Sequence, residues 1–215
     1  MNNILNERLM SLSAHLHIED KMIDIGCDHA LLDIYLIKKY PEMKIVASDV
    51  SKGPLEFARK NLLKYHLEDK IALRLGDGLE VIDEDIDTIV ISGMGTTTIL
   101  NILKDLSKYP WIRKIVLSPN NDFELLRKNI NSWHFKIKEE ELIFDKGKYY
   151  LIMELEKGEE EVNTFFGKLD LKSSIVRDFY KILYEKNQKI LKEEIDAITR
   201  AKLIEENYQI EKTIK

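Results

Sequence analysis

Met22-Ile23-Asp24-Ile25-Gly26-Cys27-Asp28-His29-Ala30 joins a short apolar run to a glycine-bearing turn, and Leu31 to Lys39 then reads as a helix ended by Pro41. The alternation continues in both directions. Lys44 to Ser48 is a second apolar strand, Lys52 to Tyr65 a helix, and Ile71 to Leu75 and Thr88 to Ser92 two more strands. A helix over Thr97 to Leu106, a strand over Lys114 to Leu117 and a helix over Phe123 to Ser132 follow. The strands are solid apolar runs, so they are expected in a parallel sheet covered by helices on both faces. Upstream, Leu5, Leu9, Leu12 and Leu16 are spaced 4, 3 and 4, which predicts an amphipathic opening helix with one buried stripe.

The pattern changes after Ser132. Phe135 to Phe144 and Tyr149 to Glu156 are extended runs joined by Asp145, Lys146, Gly147 and Lys148, a hairpin signal. Five βα-type strands closed by an antiparallel pair resemble the α/β, Rossmann-like sheet of class I methyltransferases, which is a likeness of fold and carries no chemistry by itself. Gly158 to Glu161 reads as a linker, dividing a main domain, 1–156, from a helical one, 157–215. In the latter, Val176, Leu183, Ile190 and Ala197 recur every seven residues, flanked by Phe179, Asn187 and Leu191. Leu203, Asn207, Ile210 and Ile214 continue the stripe, with Thr199 available as an N-cap. An antiparallel helical hairpin (coiled coil) turning near Ile198, with Asn187 facing Asn207, is expected. One unbroken helix is the alternative.

The 215 residues are 44% hydrophobic and 33% charged, with a net charge of −5, which excludes disordered, collagenous and disulfide-stapled classes. Cys27 is the single cysteine and has no internal partner, in keeping with a reducing compartment. No run approaches the roughly 18 apolar residues a bilayer requires, and residues 1–20 have no signal-peptide core, so a cytoplasmic protein without membrane contact is expected. The acidic balance means that a nucleic-acid partner needs a local basic patch. Arg8, Lys52, Arg59, Lys60 and the C-terminal lysines are the candidates, although solvated helix faces account for most of them.

In an open parallel sheet the ligand sits beyond the carboxyl ends of the strands, so the residues after each strand are the ones to inspect. Asp24 offers acceptors for a ligand ammonium, Gly26 permits close backbone approach, and Cys27 and His29 flank the turn. Asp49, with Val50 beside it, can accept both hydroxyls of a ribose. Gly76, Asp77 and Gly78 form a tight loop in which the carboxylate can take an adenine amine. Gly93, Met94 and Gly95 follow the fourth strand, and Met94 serves either ligand contact or packing. The three-glycine pattern for a dinucleotide is absent, and Asp24 and Asp28 repel anions. The set suits a cationic adenosine without phosphates, namely S-adenosylmethionine.

Asp24 to Ala30 with Leu32, Gly76-Asp77-Gly78-Leu79-Glu80-Val81-Ile82, Ser92-Gly93-Met94-Gly95 and Pro119-Asn120 together resemble the bacterial tRNA adenine-N1 methyltransferases of the TrmK type. The resemblance covers residues 1–156. It implies a class I fold with a C-terminal coiled coil, S-adenosylmethionine as cofactor, tRNA as partner and methylation at N1 of adenine 22. By motif, Gly26, Asp49, Asp77 and the Gly93 to Gly95 loop would bind cofactor, and Asp28 would be the carboxylate near the reacting base.

Adenine N1 is a neutral nucleophile, so no base need remove a proton before attack. A carboxylate beside the purine, assigned to Asp28, would stabilise the charge arriving there or orient the N6 amine. Capping the following helix is the structural alternative. Asn120 either contacts the adenine or the cofactor, or serves as a turn residue. No Asp/Asn-Pro-Pro-aromatic loop follows the fourth strand, which argues against N6 chemistry. Cys27, Asp28 and His29 are too close in sequence to surround one ion, so no metal is expected. His29 packs beside the cofactor or caps the helix. A monomer is expected. A methyltransferase acting on a small molecule or protein, and a non-catalytic cofactor-binding module whose coiled coil recruits a partner, are the rival readings.

Overall fold

The computed structural model describes residues 6–214. Leu5 of the opening stripe lies outside them. A single seven-stranded sheet runs in the order β3-β2-β1-β4-β5-β7-β6. Its parallel strands are β1 (Lys21–Ile25), β2 (Lys44–Asp49), β3 (Ile71–Leu75), β4 (Thr88–Ser92) and β5 (Lys114–Ser118). β6 (Phe135–Asp145) and β7 (Lys148–Lys157) form the antiparallel pair. Strand order reverses between β1 and β4, which opens a crevice above their carboxyl ends. Burial is nearly continuous along β1, β2, β4 and β5, as expected for strands covered on both faces.

The helices are α1 (Glu7–Ala14), α2 (Leu31–Lys39), α3 (Lys52–Tyr65), α4 (Thr96–Leu103) and α5 (Phe123–Ile130). α1 opens on Asn6, whose side chain accepts from the Leu9 amide, and ends before Leu16, which is nonetheless fully buried with Leu12. Both leucines join Met22, Leu36 and Ile45 in one core cluster. Each such side chain contributes about 1.5–3 kcal/mol on burial. α4 is shorter than the sequence predicts. It starts at Thr96, whose amide donates to Asn121 Oδ1 at 3.0 Å, and gives way to a 3-10 turn over Leu106–Lys108. α5 likewise tightens into a 3-10 turn over Asn131–Trp133 before His134 enters the left-handed region at φ 58°. The hairpin loop is Lys146-Gly147, both with positive φ, the geometry that matches strand twist in a two-residue turn.

The chain forms two compact units, residues 1–167 and 168–215. Residues 163–167 fold onto the sheet unit, because Arg127 Nη1 donates to the carbonyls of Thr164 and Phe165 and its Nε to Glu140. The second unit is a hairpin of α6 (Ser174–Ile190) and α7 (Ala197–Ile214). The turn closes a few residues ahead of Ile198. Asp196, not Thr199, caps α7: its carboxylate accepts from the Ile198 and Thr199 amides and from the Thr199 hydroxyl. Ala197 is exposed and so leaves the seven-residue seam. Asn187 and Asn207 are both buried, but no hydrogen bond joins them. Asn187 Nδ2 donates to Glu206 at 2.8 Å, and neither polar atom of the Asn207 side chain has a partner.

Candidate active site

Two adjoining cavities open at the strand reversal, of about 360 and 290 Å³. Gly26, Asp49 and Met94 line both. The first is bounded further by Arg8, Asp24, Cys27, Asp28, His29 and Gly93, and the second by Val50, Gly76, Asp77 and Gly78. Eleven of the twelve residues assigned to cofactor contact therefore meet in one connected crevice, together with Asp28 and Arg8. Gly95 and Asn120 are outside it. Gly95 caps α4, and a Cβ there would lie 3.4 Å from Asn121 Oδ1. Asn120 spends its side-chain amide on the Gly93 carbonyl at 2.5 Å and its backbone amide on the Met94 carbonyl at 2.8 Å. It shapes the β4 loop from behind, closer to its turn-residue reading than to ligand contact.

Two glycines hold a backbone conformation that a side chain would strain. Gly26 sits at φ 78°, and a Cβ there would come within 2.1 Å of Met94 Cε. Gly93 also has φ 78°, and its Cβ would lie 3.0 Å from Arg8 Nη1. Arg8 thus lies against the bare backbone of the β4 loop, with its guanidinium 5.5 Å from the centre of the Tyr150 ring. In the turn after β1, the Gly26 and Cys27 amides both donate to the Ser48 carbonyl. Asp28 and Ala30 are left-handed at φ 49° and 54°, unusual for residues with a Cβ. Ala30 is the N-cap of α2 and no side chain caps that helix, so neither Asp28 nor His29 takes the capping role. Asp28 stands on the exposed lip, 3.5 Å from His29 Nε2, and the His29 ring packs against Phe57 with centroids 5.3 Å apart.

The floor is acidic and buried. Burial pushes the Asp24 carboxyl up to about 7, reinforced by Asp49 and opposed by a hydrogen bond from Asp33 and by the Arg8 charge. Asp33, on α2, is fully buried and raised well above the usual carboxylate range by burial and by Asp24. Burial and the three carboxylates Asp33, Asp24 and Asp49 push the Cys27 thiol far up, so it is inert as a nucleophile. Asp49 Oδ1 accepts from the Ser51 amide at 2.8 Å, fixing a carboxylate that both cavities share.

The composition of this crevice fits a cationic nucleoside. It presents Asp24, Asp49 and Asp77 along its length, against Arg8 and Lys104 as the fixed cations among the described residues. Among the described residues the one cluster able to hold a metal is His15, Glu139 and Glu154, which lines neither cavity. There His15 already bonds Glu154 at 3.0 Å and Glu141 at 3.3 Å.

The α4 contribution escaped the sequence reading. Thr98, Asn101, Ile102 and Lys104 border the second cavity. Thr98, Asn101 and Ile102 stand at i, i+3 and i+4 after the helix-opening Gly95, a spacing that marks a common face. Asp33 was also missed, since it reads as an ordinary helix-surface acid until α2 is turned against β1.

Sheet order, strand-tip glycines and an acidic crevice at the switch point define a class I methyltransferase. The methyltransferase-domain family model matches residues 5–153. The tRNA (adenine(22)-N(1))-methyltransferase of Bacillus subtilis is 30% identical over 164 residues, 75% of this chain and 69% of the relative. The chain belongs to this TrmK family of tRNA methyltransferases. M. capricolum TrmK, solved with S-adenosyl-homocysteine, is 27% identical and superposes with a TM-score of 0.87 over 99% of this chain and 98% of its own. A Streptococcus pneumoniae protein solved with S-adenosyl-L-methionine is 28% identical, with a TM-score of 0.89 over 98% of this chain and all of its own (100%). No helix among the described residues is long and apolar enough to cross a membrane.

Proposed function

We propose that this protein transfers a methyl group from S-adenosylmethionine to N1 of adenine 22 in tRNA, as a cytoplasmic monomer that uses no metal. The observation that carries the reading is the pair of cavities joined at Gly26, Asp49 and Met94, in which carboxylates outnumber cations. When bound, the cofactor supplies an electrophilic methyl on a sulfonium centre. Asp49 would accept the ribose hydroxyls, Asp77 the adenine amine and Asp24 the ammonium group, while Gly26 and Gly93 admit the ligand close to the backbone. Asp28 stands on the lip where a target base would enter, and its carboxylate would stabilise positive charge arriving on the purine. The base must be unstacked to offer its pairing edge, at a cost of a few kcal/mol.

Lys52, Arg59 and Lys60 are exposed on α3, beside the exposed Phe57 that packs on His29, and supply the local basic surface that the acidic total requires. The helical domain would add grip on the folded tRNA. Incubation with labelled S-adenosylmethionine and unmodified tRNA transcripts, followed by nuclease digestion and mass spectrometry, should place the methyl on N1 of adenine 22. A product at N6, or none, defeats the reading.

A further inference from the structure

Asp33 is the buried acid that nothing above uses. It lies on α2, is fully buried, and neither carboxyl oxygen has a hydrogen-bond partner of normal geometry. An orphaned buried carboxylate would be costly, on the order of several kcal/mol. Asp24, on the central strand and itself lining the first cavity, is the charged group that interacts with it. Two interacting carboxyls buried together are stable only when they share one negative charge, so that one of them keeps its proton. Of the two, Asp24 faces the cavity and the Arg8 guanidinium, so the negative charge belongs there and the proton on Asp33. The remaining charged or titratable groups around Asp24 are Asp49 at the tip of β2 and Cys27 in the β1–α2 turn, with Asp28 and His29 along the same cavity wall.

We propose that Asp33 is a positioning residue for the cofactor: as a neutral buried acid it donates its proton to Asp24 and holds that carboxylate oriented to receive the ligand's ammonium group. This rests on the reading of the cavity as a methyl-donor site. Two consequences follow from the pairing. An arriving cation favours the singly ionised pair, so binding near pH 6.5 expels protons, and affinity rises as the pH is raised from 6 to 8. An amide at position 33 can still donate to Asp24 but cannot titrate, whereas a leucine can do neither.

S-adenosylhomocysteine, which keeps the ammonium group, is the probe. Calorimetry at several pH values, in phosphate and in Tris, reads affinity and proton release together. The unaltered protein is expected to release protons and to bind more tightly at pH 8 than at pH 6. Asp33→Asn should stay within about threefold of it at pH 8 and keep a pH dependence, because Asp24 still titrates, while Asp33→Leu should bind on the order of tenfold more weakly. Thermal melts of both variants at pH 8, at or above that of the unaltered protein, would show that weak binding is not misfolding. Asp33→Leu binding as tightly as the unaltered protein, or Asp33→Asn binding as weakly as Asp33→Leu, overturns the proposal alone. Absence of binding by the unaltered protein at every pH overturns the cofactor reading as well.

Discussion

Gly26 is the position where one added methyl group does most damage. Its φ of 78° and the Met94 methyl 2.1 Å from an added Cβ mean that Gly26→Ala strains the β1 turn and swings the Met94 side chain aside. The backbone alone costs about 1–2 kcal/mol, and the displaced Met94 closes the junction of the two cavities. S-adenosylhomocysteine affinity is expected to fall by at least about tenfold, roughly 1.4 kcal/mol, in a calorimetric titration. Asp28→Ala should behave differently. Its side chain is exposed on the lip and supports no helix cap, so cofactor affinity should hold within about threefold while methyl transfer drops by about 10²–10³, the range for losing one electrostatic contact to a transition state. Equal activity in single-turnover assays would remove Asp28 from the chemistry. The glycines and acids at the strand tips were legible because a turn or a close approach restricts residue type. Asp33 was not, because its meaning comes from which side of α2 meets β1.

Among elements, α1 is tied to the antiparallel edge by charge. His15, just past the helix, bonds Glu154 on β7 and Glu141 on β6, and Ser11 of α1 also donates to Glu141. Burial opposes a charged imidazole, but the bonds to the two glutamates outweigh it and lift His15 to about 9. The folded value lies above the unfolded 6.5. This contribution is therefore complete below pH 6.5 and fades as the pH climbs through 9. Glu154 works in the opposite direction: burial would raise it, yet His15, Lys138 and Lys114 hold it near 2, and its share is lost as the pH falls from 4.5 toward 2. Urea midpoints should decline between pH 6.5 and 9 in the unaltered protein, and His15→Gln should flatten that decline. A second element-scale test lies in the hairpin. Asn207 buries an amide with no partner, so Asn207→Leu should raise stability by about 1–2 kcal/mol in chemical denaturation. Strand positions and the boundaries of α2 and α3 were readable from apolar runs bounded by turn residues. The capping of α7 by Asp196 was not, since it is settled by hydrogen bonds that compete with the helical pattern, and neither was the early end of α4 ahead of the 3-10 turn at Leu106–Lys108.

At the scale of the whole molecule, the sheet order needed only the count of βα units and the closing hairpin, whereas the place where the sheet unit ends needed the folded chain. Composition points to a linker at Gly158 to Glu161. Yet Asn131 and the Glu160 backbone bond each other, and Arg127, buried, holds the Thr164 and Phe165 carbonyls. A chain cut after Glu156 removes those two acceptors and leaves the guanidinium its Glu140 partner alone, at a cost of about 1–3 kcal/mol. It is thus expected to melt several degrees below one cut after Gly167, although the two differ by one short segment. The longer fragment should bind S-adenosylhomocysteine as the full chain does, because every residue lining the two cavities precedes Gly167. Its affinity for tRNA should fall, and the salt dependence of the binding that remains should be shallower if α6 and α7 contribute phosphate contacts. Filter binding at two salt concentrations measures both quantities. An unchanged tRNA affinity with an unchanged salt slope would confine RNA recognition to the sheet unit and leave Lys52, Arg59 and Lys60 as its basic surface.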